Sequence, residues 1–452
     1  MVSRCIFNSS LEMAKNVRRA GFVLGGALNG EPQGIRALAW TLSERFFVYV
    51  VTAVCWMPTT TLVAEPRMCA VTEGALRKAA TLRGLPAQAS VPCVVRSRAD
   101  IERFLRKNIA EKFPKETLAM EQLWYQALGV VPDDYPYEQE IVQVYAQQIG
   151  GYYDPDRKEF VMLDTMASKL QLPVAVHELT HALQDQKFSL THFLDPKQRE
   201  SDELMARAAL VEGDATAIMQ EFMSGKSVKA SKDLSEGSLP ESTVKVPETL
   251  ERILLFPYLD GLTFVRHVQR LGGFSAINAA FSNPPRSSRE VLHPEQYINR
   301  SFVPRELPRD EVERPNEKVS PIYADTVGEF AVSALLGTAL SSKQRGATCA
   351  EGWRRDRVVV FNGEGTKRFV SWMSEWDSHE ESAEFYECYR EMLKVRYQKD
   401  VANDLVAVAP GKRMRIARLE RRVSVLVALA QGNHLDRSDT ATVPVTAPVA
   451  HE

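Results

Sequence analysis

The chain has 452 residues, of which 44% are hydrophobic and 25% are charged, and its formal net charge is −2. This composition is typical of a globular protein with room for two or three cores. It contains no basic excess and no long block of one charge, which excludes nucleic acid and other polyelectrolytes as expected partners.

The first 64 residues resemble an export signal in their arrangement. Residues 1–45 carry more basic than acidic side chains, and the apolar segment 46–64 carries no charge and ends at the small residue Ala64. Pro58 interrupts that segment, which makes it a poor membrane-spanning helix. We therefore predict an exported protein whose segment 46–64 is a signal or an N-terminal membrane anchor. A buried core segment is the alternative interpretation.

Four cysteines follow this leader: Cys69, Cys93, Cys349 and Cys388. They allow three disulfide pairings, and the pairs nearest in sequence are Cys69–Cys93 and Cys349–Cys388. None has the close C-x-x-C spacing of a thiolate zinc site or a redox pair. Disulfides would fit export, and isolated buried thiols remain the alternative.

Hydrophobic periodicity predicts a predominantly helical α+β fold. Helices are predicted over 98–112, 120–128, 173–188, 202–222, 247–256, 262–271, 325–340 and 378–397. Strands are predicted over 91–95, 147–153, 159–163, 358–361, 369–372 and 423–429. Turn residues at 154–158 and an Asn-Gly pair at 362–363 indicate two hairpins. Ser378 with Glu381 forms a capping-box pattern at the start of the last helix.

Composition also suggests a division into regions. We predict a first domain over residues 65–302, with a mobile insertion at 224–246 that is rich in Ser, Lys, Gly and Glu. The polar, proline-rich stretch 303–318 is a predicted linker. A smaller α+β region follows over 319–432, and the tail 433–452 is predicted to be disordered.

The sequence His-Glu-Leu-Thr-His at residues 177–181 is the strongest candidate for chemistry. In a helix, residues four apart are neighbours on one face, so His177 and His181 can reach one cation. Glu178 lies beside them, where a carboxylate can take a proton from activated water. We expect Pro173 in the first turn of this helix. A surface helix with two ordinary histidines is the alternative.

Glu212 is the candidate third ligand. Its helical neighbours are all small: Ala208, Ala209, Ala215 and Thr216. Such neighbours allow close helix packing around the carboxylate, and a buried carboxylate needs a cation. Gly213 follows, and a close backbone approach would explain a glycine inside a helix. Two histidines and one glutamate leave a fourth position open for water, as in hydrolytic zinc sites.

Two further acidic residues are candidates for orienting the ligands. Asp185 and Asp214 could each accept a hydrogen bond from an imidazole. The alternative for each is a solvated acidic side chain.

These motifs resemble the gluzincin metallopeptidases, which combine HExxH with a glutamate on a following helix. Over roughly residues 93–430 the chain is more similar to a group of uncharacterised, mostly exported bacterial gluzincin-like proteins. The shared segments are 151–155, 292–297, 328–330, 352–353 and 376–377. The resemblance implies a zincin-like domain over 65–302 with one catalytic Zn²⁺ held by His177, His181 and Glu212. Glu178 would be the catalytic base.

The resemblance also implies a polypeptide substrate, lying along a sheet edge supplied by the 147–163 hairpin. Zincins commonly add a Tyr or His that stabilises the oxyanion, and His293 and Tyr297 are the candidates here. A structural loop in which His293 caps a turn is an equal alternative. Two other functions stay open: a non-catalytic, zinc-stabilised envelope or binding protein, and a metal-free helical protein with a chance motif.

Overall fold

The computed structural model describes residues 67–113, 116–225, 245–316 and 318–430. The predicted leader (1–64), the predicted tail (433–452) and residues 226–244 of the predicted insertion lie outside the described residues.

The fold is α+β and mostly helical, as predicted, with one three-stranded and one six-stranded sheet. The helices are α1 (Thr72–Arg83), α2 (Arg98–Lys112), α3 (Thr117–Leu128), α4 (Tyr137–Gln148), α5 (Ser168–Phe188), α6 (Leu190–Phe193), α7 (Ser201–Ser224), α8 (Glu248–Ser282), α9 (Ser288–Leu292), α10 (Pro294–Asn299), α11 (Glu329–Ala339), α12 (Lys343–Ala350) and α13 (His379–Tyr397). The strands are β1 (Cys93–Arg96), β2 (Gly151–Asp154), β3 (Glu159–Leu163), β4 (Ser320–Asp325), β5 (Trp353–Asn362), β6 (Arg368–Trp376), β7 (Val406–Ala409), β8 (Lys412–Leu419) and β9 (Arg422–Leu429).

The small sheet has the strand order β1-β3-β2, with β1 parallel and β2 antiparallel to β3. This confirms the predicted hairpin, but the strand predicted to begin at residue 147 begins at Gly151. The preceding residues belong to α4, which the sequence analysis missed. Ile141, Val144 and Tyr145 are buried at helical spacing on this helix.

Helix α5 carries the HELTH motif. It begins at Ser168, so Pro173 lies inside the helix and the prediction that it occupies the first turn is wrong. A proline there lacks the N–H for one helical hydrogen bond. Packing compensates for this loss, because every residue from Val174 to Asp185 is buried. A helix buried on all sides in this way is held in place by its neighbours, mainly α1 and α7.

Helices α7 and α8 make the most extensive contact between two helices in the described part of the chain. A Cβ atom on Gly213 would lie 2.2 Å from the carbonyl oxygen of Gly261. One on Gly261 would lie 2.3 Å from the carbonyl oxygen of Ala209. The close backbone approach expected at Gly213 is therefore confirmed, and it fixes the turn of α7 that carries Glu212.

The segments predicted as two helices at 247–256 and 262–271 form the single long helix α8. Its backbone breaks at Gly272 and Gly273, where Gly273 has φ 62°. That left-handed conformation is accessible to glycine without a steric penalty.

The large sheet is antiparallel throughout, with the order β4-β5-β6-β9-β8-β7. The predicted hairpin of β5 with β6 and the Ser378 cap of α13 are confirmed. The predicted start of a helix at residue 325 is wrong, because Asp325 is the last residue of β4 and pairs with Val358 of β5. Helix α11 begins only at Glu329. The carboxylate of Asp356 accepts hydrogen bonds from the backbone N–H groups of residues 327 and 328, which lie in the connection between β4 and α11. In the predicted linker 303–318, Leu307 and Val312 pack on this sheet.

Disulfides join Cys69 to Cys93 and Cys349 to Cys388, the two pairs nearest in sequence. The first connects the segment before α1 to β1, and the second connects α12 to α13. Among the residues described, none of the helices combines the length and the apolarity required to cross a lipid bilayer.

Candidate metal centre

Three potential ligand atoms from two helices meet between α5 and α7. His177 Nε2 lies 3.1 Å from His181 Nε2 and 3.2 Å from Glu212 Oε2. His181 Nε2 lies 3.3 Å from the same Glu212 oxygen. The spacing of four along α5 places the two imidazoles edge-to-face on one side of the helix, and the packing of α7 on α5 brings Glu212 against them. The structure thus brings together the three residues predicted as ligands.

These separations fit a metal ion. Zinc binds histidine nitrogen and carboxylate oxygen at about 2.0–2.2 Å, so neighbouring ligands of a tetrahedral ion lie about 3.3–3.6 Å apart. The three observed distances, 3.1, 3.2 and 3.3 Å, lie at or just below the lower end of this range. Two nitrogens and one oxygen are also a donor set that zinc accepts.

The charges of the cluster indicate how it behaves without a cation. Burial acts to lower the pKa of His181, but the Glu212 carboxylate, bonded to it, outweighs burial and raises the pKa to about 9. Burial acts to raise the pKa of Glu212, but the two histidines lower it to about 2. Burial lowers the pKa of His177. A proton on His181 therefore balances Glu212 in the metal-free protein, and a cation must replace it.

Glu178 is a fourth ionisable group, coupled electrostatically to His181 and Glu212. Its side chain is buried, and its Oε2 accepts the backbone N–H of Tyr153 at 3.2 Å. Burial raises the pKa of Glu178 to about 8. A carboxylate whose pKa is near neutrality can both accept and return a proton.

Strand β2 closes one side of the centre. All four of its residues are buried, and the Tyr153 N–H already donates to Glu178. Within the described residues β2 is an edge strand of the small sheet, as the resemblance implies, and Glu178 takes one backbone donor of that edge. Helix α5 packs on this strand, where Val174 lies against Gly151.

Gln184 is the residue that sequence reasoning missed. Its Oε1 lies 2.9 Å from His181 Nδ1, and its Nε2 donates to the Asp214 carboxylate at 2.9 Å. Asp214 thus reaches the imidazole only through Gln184. Asp185 does not reach it and instead accepts from Tyr153 Oη and Lys158 Nζ, both at 2.7 Å. The i,i+3 spacing of His181 and Gln184 was the available signal.

The two oxyanion candidates belong to other networks. His293 Nε2 lies 2.6 Å from Glu329 Oε1, and this contact raises the pKa of the imidazole. Tyr297 donates its hydroxyl to the carbonyl oxygen of Asn283 at 2.8 Å. The ring of Tyr297 packs on Phe264 in the core. The contacts of both side chains favour the alternative of a structural loop.

Parts of the chain are similar to one family model and to one solved structure. A family model described as "Domain of unknown function (DUF8575)" matches residues 317–439, which include the large sheet but not the metal-ligand candidates. No curated protein matches the chain. A crystal structure from Chloroflexus aurantiacus, described as that of a putative hydrolase with a novel fold, is 18% identical and has a TM-score of 0.35. The match covers 54% of this chain and 92% of that one.

Proposed function

We propose that the chain is a zinc-dependent peptidase of the gluzincin type. The observation that carries this proposal is the convergence of His177, His181 and Glu212 at the separations of a tetrahedral site. Glu178 lies next to the first of these ligands on the same helix. Hydrolytic zinc enzymes combine two histidines and a glutamate with an adjacent carboxylate that acts as the general base.

The side chains have distinct roles in this proposal. His177, His181 and Glu212 hold the ion, which when bound lowers the pKa of water and polarises a carbonyl group. Glu178 accepts the proton of the attacking water and passes it to the leaving amine. The Tyr153 N–H holds the Glu178 carboxylate in place. Because the pKa of Glu178 is raised to about 8, its protonated form is accessible near neutrality for the second transfer.

We further propose that the protein is exported and acts on a polypeptide outside the cytoplasm. The two disulfides support this location, since structural disulfides persist in oxidising compartments. The apolar, uncharged segment 46–64 after a basic leader also supports it.

A second candidate function is a zinc-stabilised binding protein without catalysis. The closed environment of Glu178 favours it, because this side chain is 2% exposed and the adjacent strand β2 is buried. A substrate would need access that these contacts restrict. This candidate predicts bound zinc and a lower melting temperature on chelation, with no peptide cleavage.

The substitution Glu178→Gln tests the proposed function. We expect this variant to retain zinc and to lose roughly 10²–10⁴-fold in peptide hydrolysis, because the general base is removed. The matched control is Glu221→Gln, an exposed glutamate on α7. Equal activity in both variants would remove Glu178 from its role. Zinc binding without any cleavage by the unmodified protein, across a broad peptide library, would establish the second candidate instead.

A further inference from the structure

Gln184 bridges the two helices that carry the candidate ligands. From α5, its Oε1 contacts Nδ1 of His181 at 2.9 Å. Its Nε2 donates across to α7, to the carbonyl oxygen of Val211 at 3.1 Å and to the Asp214 carboxylate at 2.9 Å. The side chain is fully buried. The Gln184 amide therefore connects His181 on α5 with Val211 and Asp214 on α7, which lie on either side of Glu212 and Gly213.

These partners fix the orientation of the amide. The Val211 carbonyl and the Asp214 carboxylate only accept hydrogen bonds, so they must face the NH₂ group of Gln184. The carbonyl end of Gln184 must then face His181, whose Nδ1 must carry a hydrogen to donate. In the neutral ring this leaves the lone pair on Nε2, the atom that faces His177 and Glu212.

A buried ion pair holds Asp214 in turn. The Nε of Arg83 donates to the Asp214 carboxylate at 2.7 Å, and Nη2 donates to Asn278 Oδ1 at 2.9 Å. Both charged side chains are at most 1% exposed. Arg83 is the last residue of α1, so the hydrogen-bond chain joins α1, α5, α7 and α8 behind the metal ligands.

We propose that Gln184 is a positioning residue that holds His181 in the Nδ1–H tautomer required for metal binding, and that Asp214 and Arg83 orient Gln184 for this purpose. The proposal rests on the zinc site of the proposed function and not on its catalytic step. Hydrogen-bond partners behind histidine ligands raise metal affinity by fixing the ring and its tautomer.

The variant Gln184→Met tests the proposal, since methionine has a similar shape and cannot replace the three hydrogen bonds. The matched control is Gln186→Met on the same helix, where the side chain bonds the backbone of residues 88 and 89 and touches no ligand. The dissociation constant for zinc is measured by competition with a chromophoric chelator. We expect a roughly 10–100-fold weakening for Gln184→Met and less than about threefold for the control.

A charge-exchange experiment keeps the test valid where the methionine variant does not fold. Gln184→Glu alone turns a carboxylate toward the Asp214 carboxylate, and Asp214→Asn alone removes the negative charge that pairs with Arg83. Combined, the two changes exchange the carboxylate and the amide, so that residue 184 still accepts from His181 and one negative charge remains between His181 and Arg83. We expect each single variant to bind zinc more weakly and the double variant to recover most of the affinity. Nitrogen-15 spectra of the zinc-loaded protein should show His181 protonated at Nδ1.

The outcomes separate this inference from the proposed function. Equal zinc affinity of the Gln184→Met and Gln186→Met variants, or no recovery in the double variant, overturns the role of Gln184 alone. Spectra with His181 protonated at Nε2 and bound through Nδ1 also overturn it. A protein that binds zinc through Gln184-supported His181 but cleaves no peptide overturns only the catalytic proposal. A protein that binds no zinc overturns both.

Discussion

The substitution Gly213→Ala should destabilise the protein although it replaces a glycine in the middle of a helix. Helix propensity alone favours alanine by about 1 kcal/mol. The added Cβ, however, would lie 2.2 Å from the carbonyl oxygen of Gly261 and 2.3 Å from its carbonyl carbon. Both atoms are backbone, so neither can move aside as a flexible side chain can.

The size of the effect follows from the distance that the helices must move. An ordinary contact of 3.4 Å requires α7 and α8 to separate by 1.2 Å at this point, which is 3.4 minus 2.2. Overpacking of a tight interior costs about 1–3 kcal/mol, and a clash between two backbones lies at the upper end. After the propensity gain, we expect the free energy of unfolding to fall by about 2 kcal/mol.

Urea denaturation followed by circular dichroism measures this change. The matched control is Gly74→Ala in α1, where the added Cβ meets nothing within 4 Å. This control should gain up to about 1 kcal/mol. If Gly213→Ala proved as stable as the unmodified protein, the close contact between α7 and α8 would be refuted. Because Glu212 is adjacent, the destabilised variant should also bind zinc more weakly.

Two further predictions concern charge. The substitution Arg83→Met leaves the buried Asp214 carboxylate without its cation and should lower the free energy of unfolding by about 3–5 kcal/mol. The control Arg77→Met breaks an exposed ion pair on the same helix and should change this free energy by less than about 1 kcal/mol. Thermal unfolding compares the two variants, and equal losses of stability would contradict a stabilising buried ion pair between Arg83 and Asp214. Because the pKa of His181 is raised to about 9 without metal, zinc must displace the proton of this side chain when it binds. The apparent association constant for zinc should therefore rise by up to about tenfold per pH unit from pH 6 to 8. A pH-independent affinity would contradict this.

The cluster of His177, His181 and Glu212 could be predicted from sequence because its signals are local. The spacing of His177 and His181 is the repeat of a helix, and the small residues around Glu212 indicate close packing of a helix that carries a carboxylate. The fold class was equally accessible, since long helices and hairpins such as β5 with β6 have clear periodicity.

The contacts of Gln184, Asp214 and Arg83 behind the cluster could not be predicted, because they depend on tertiary structure. Arg83 and Asp214 are 131 residues apart, and no local pattern indicates that they meet. Strand β8 was missed for a different reason. Its residues 413–416 alternate basic and apolar side chains, which is the pattern of a half-buried strand, but the alternation ends at Ala417 and is therefore a short signal.

The central claim is that His177, His181 and Glu212 hold one zinc ion, and elemental analysis of the purified protein tests it most directly. We predict one zinc per chain for the unmodified protein and for the exposed-site control Glu221→Ala. The variant Glu212→Ala should lose most of its zinc, because the only carboxylate ligand is removed. An unmodified protein without zinc, or a Glu212→Ala variant with its zinc undiminished, would contradict the claim.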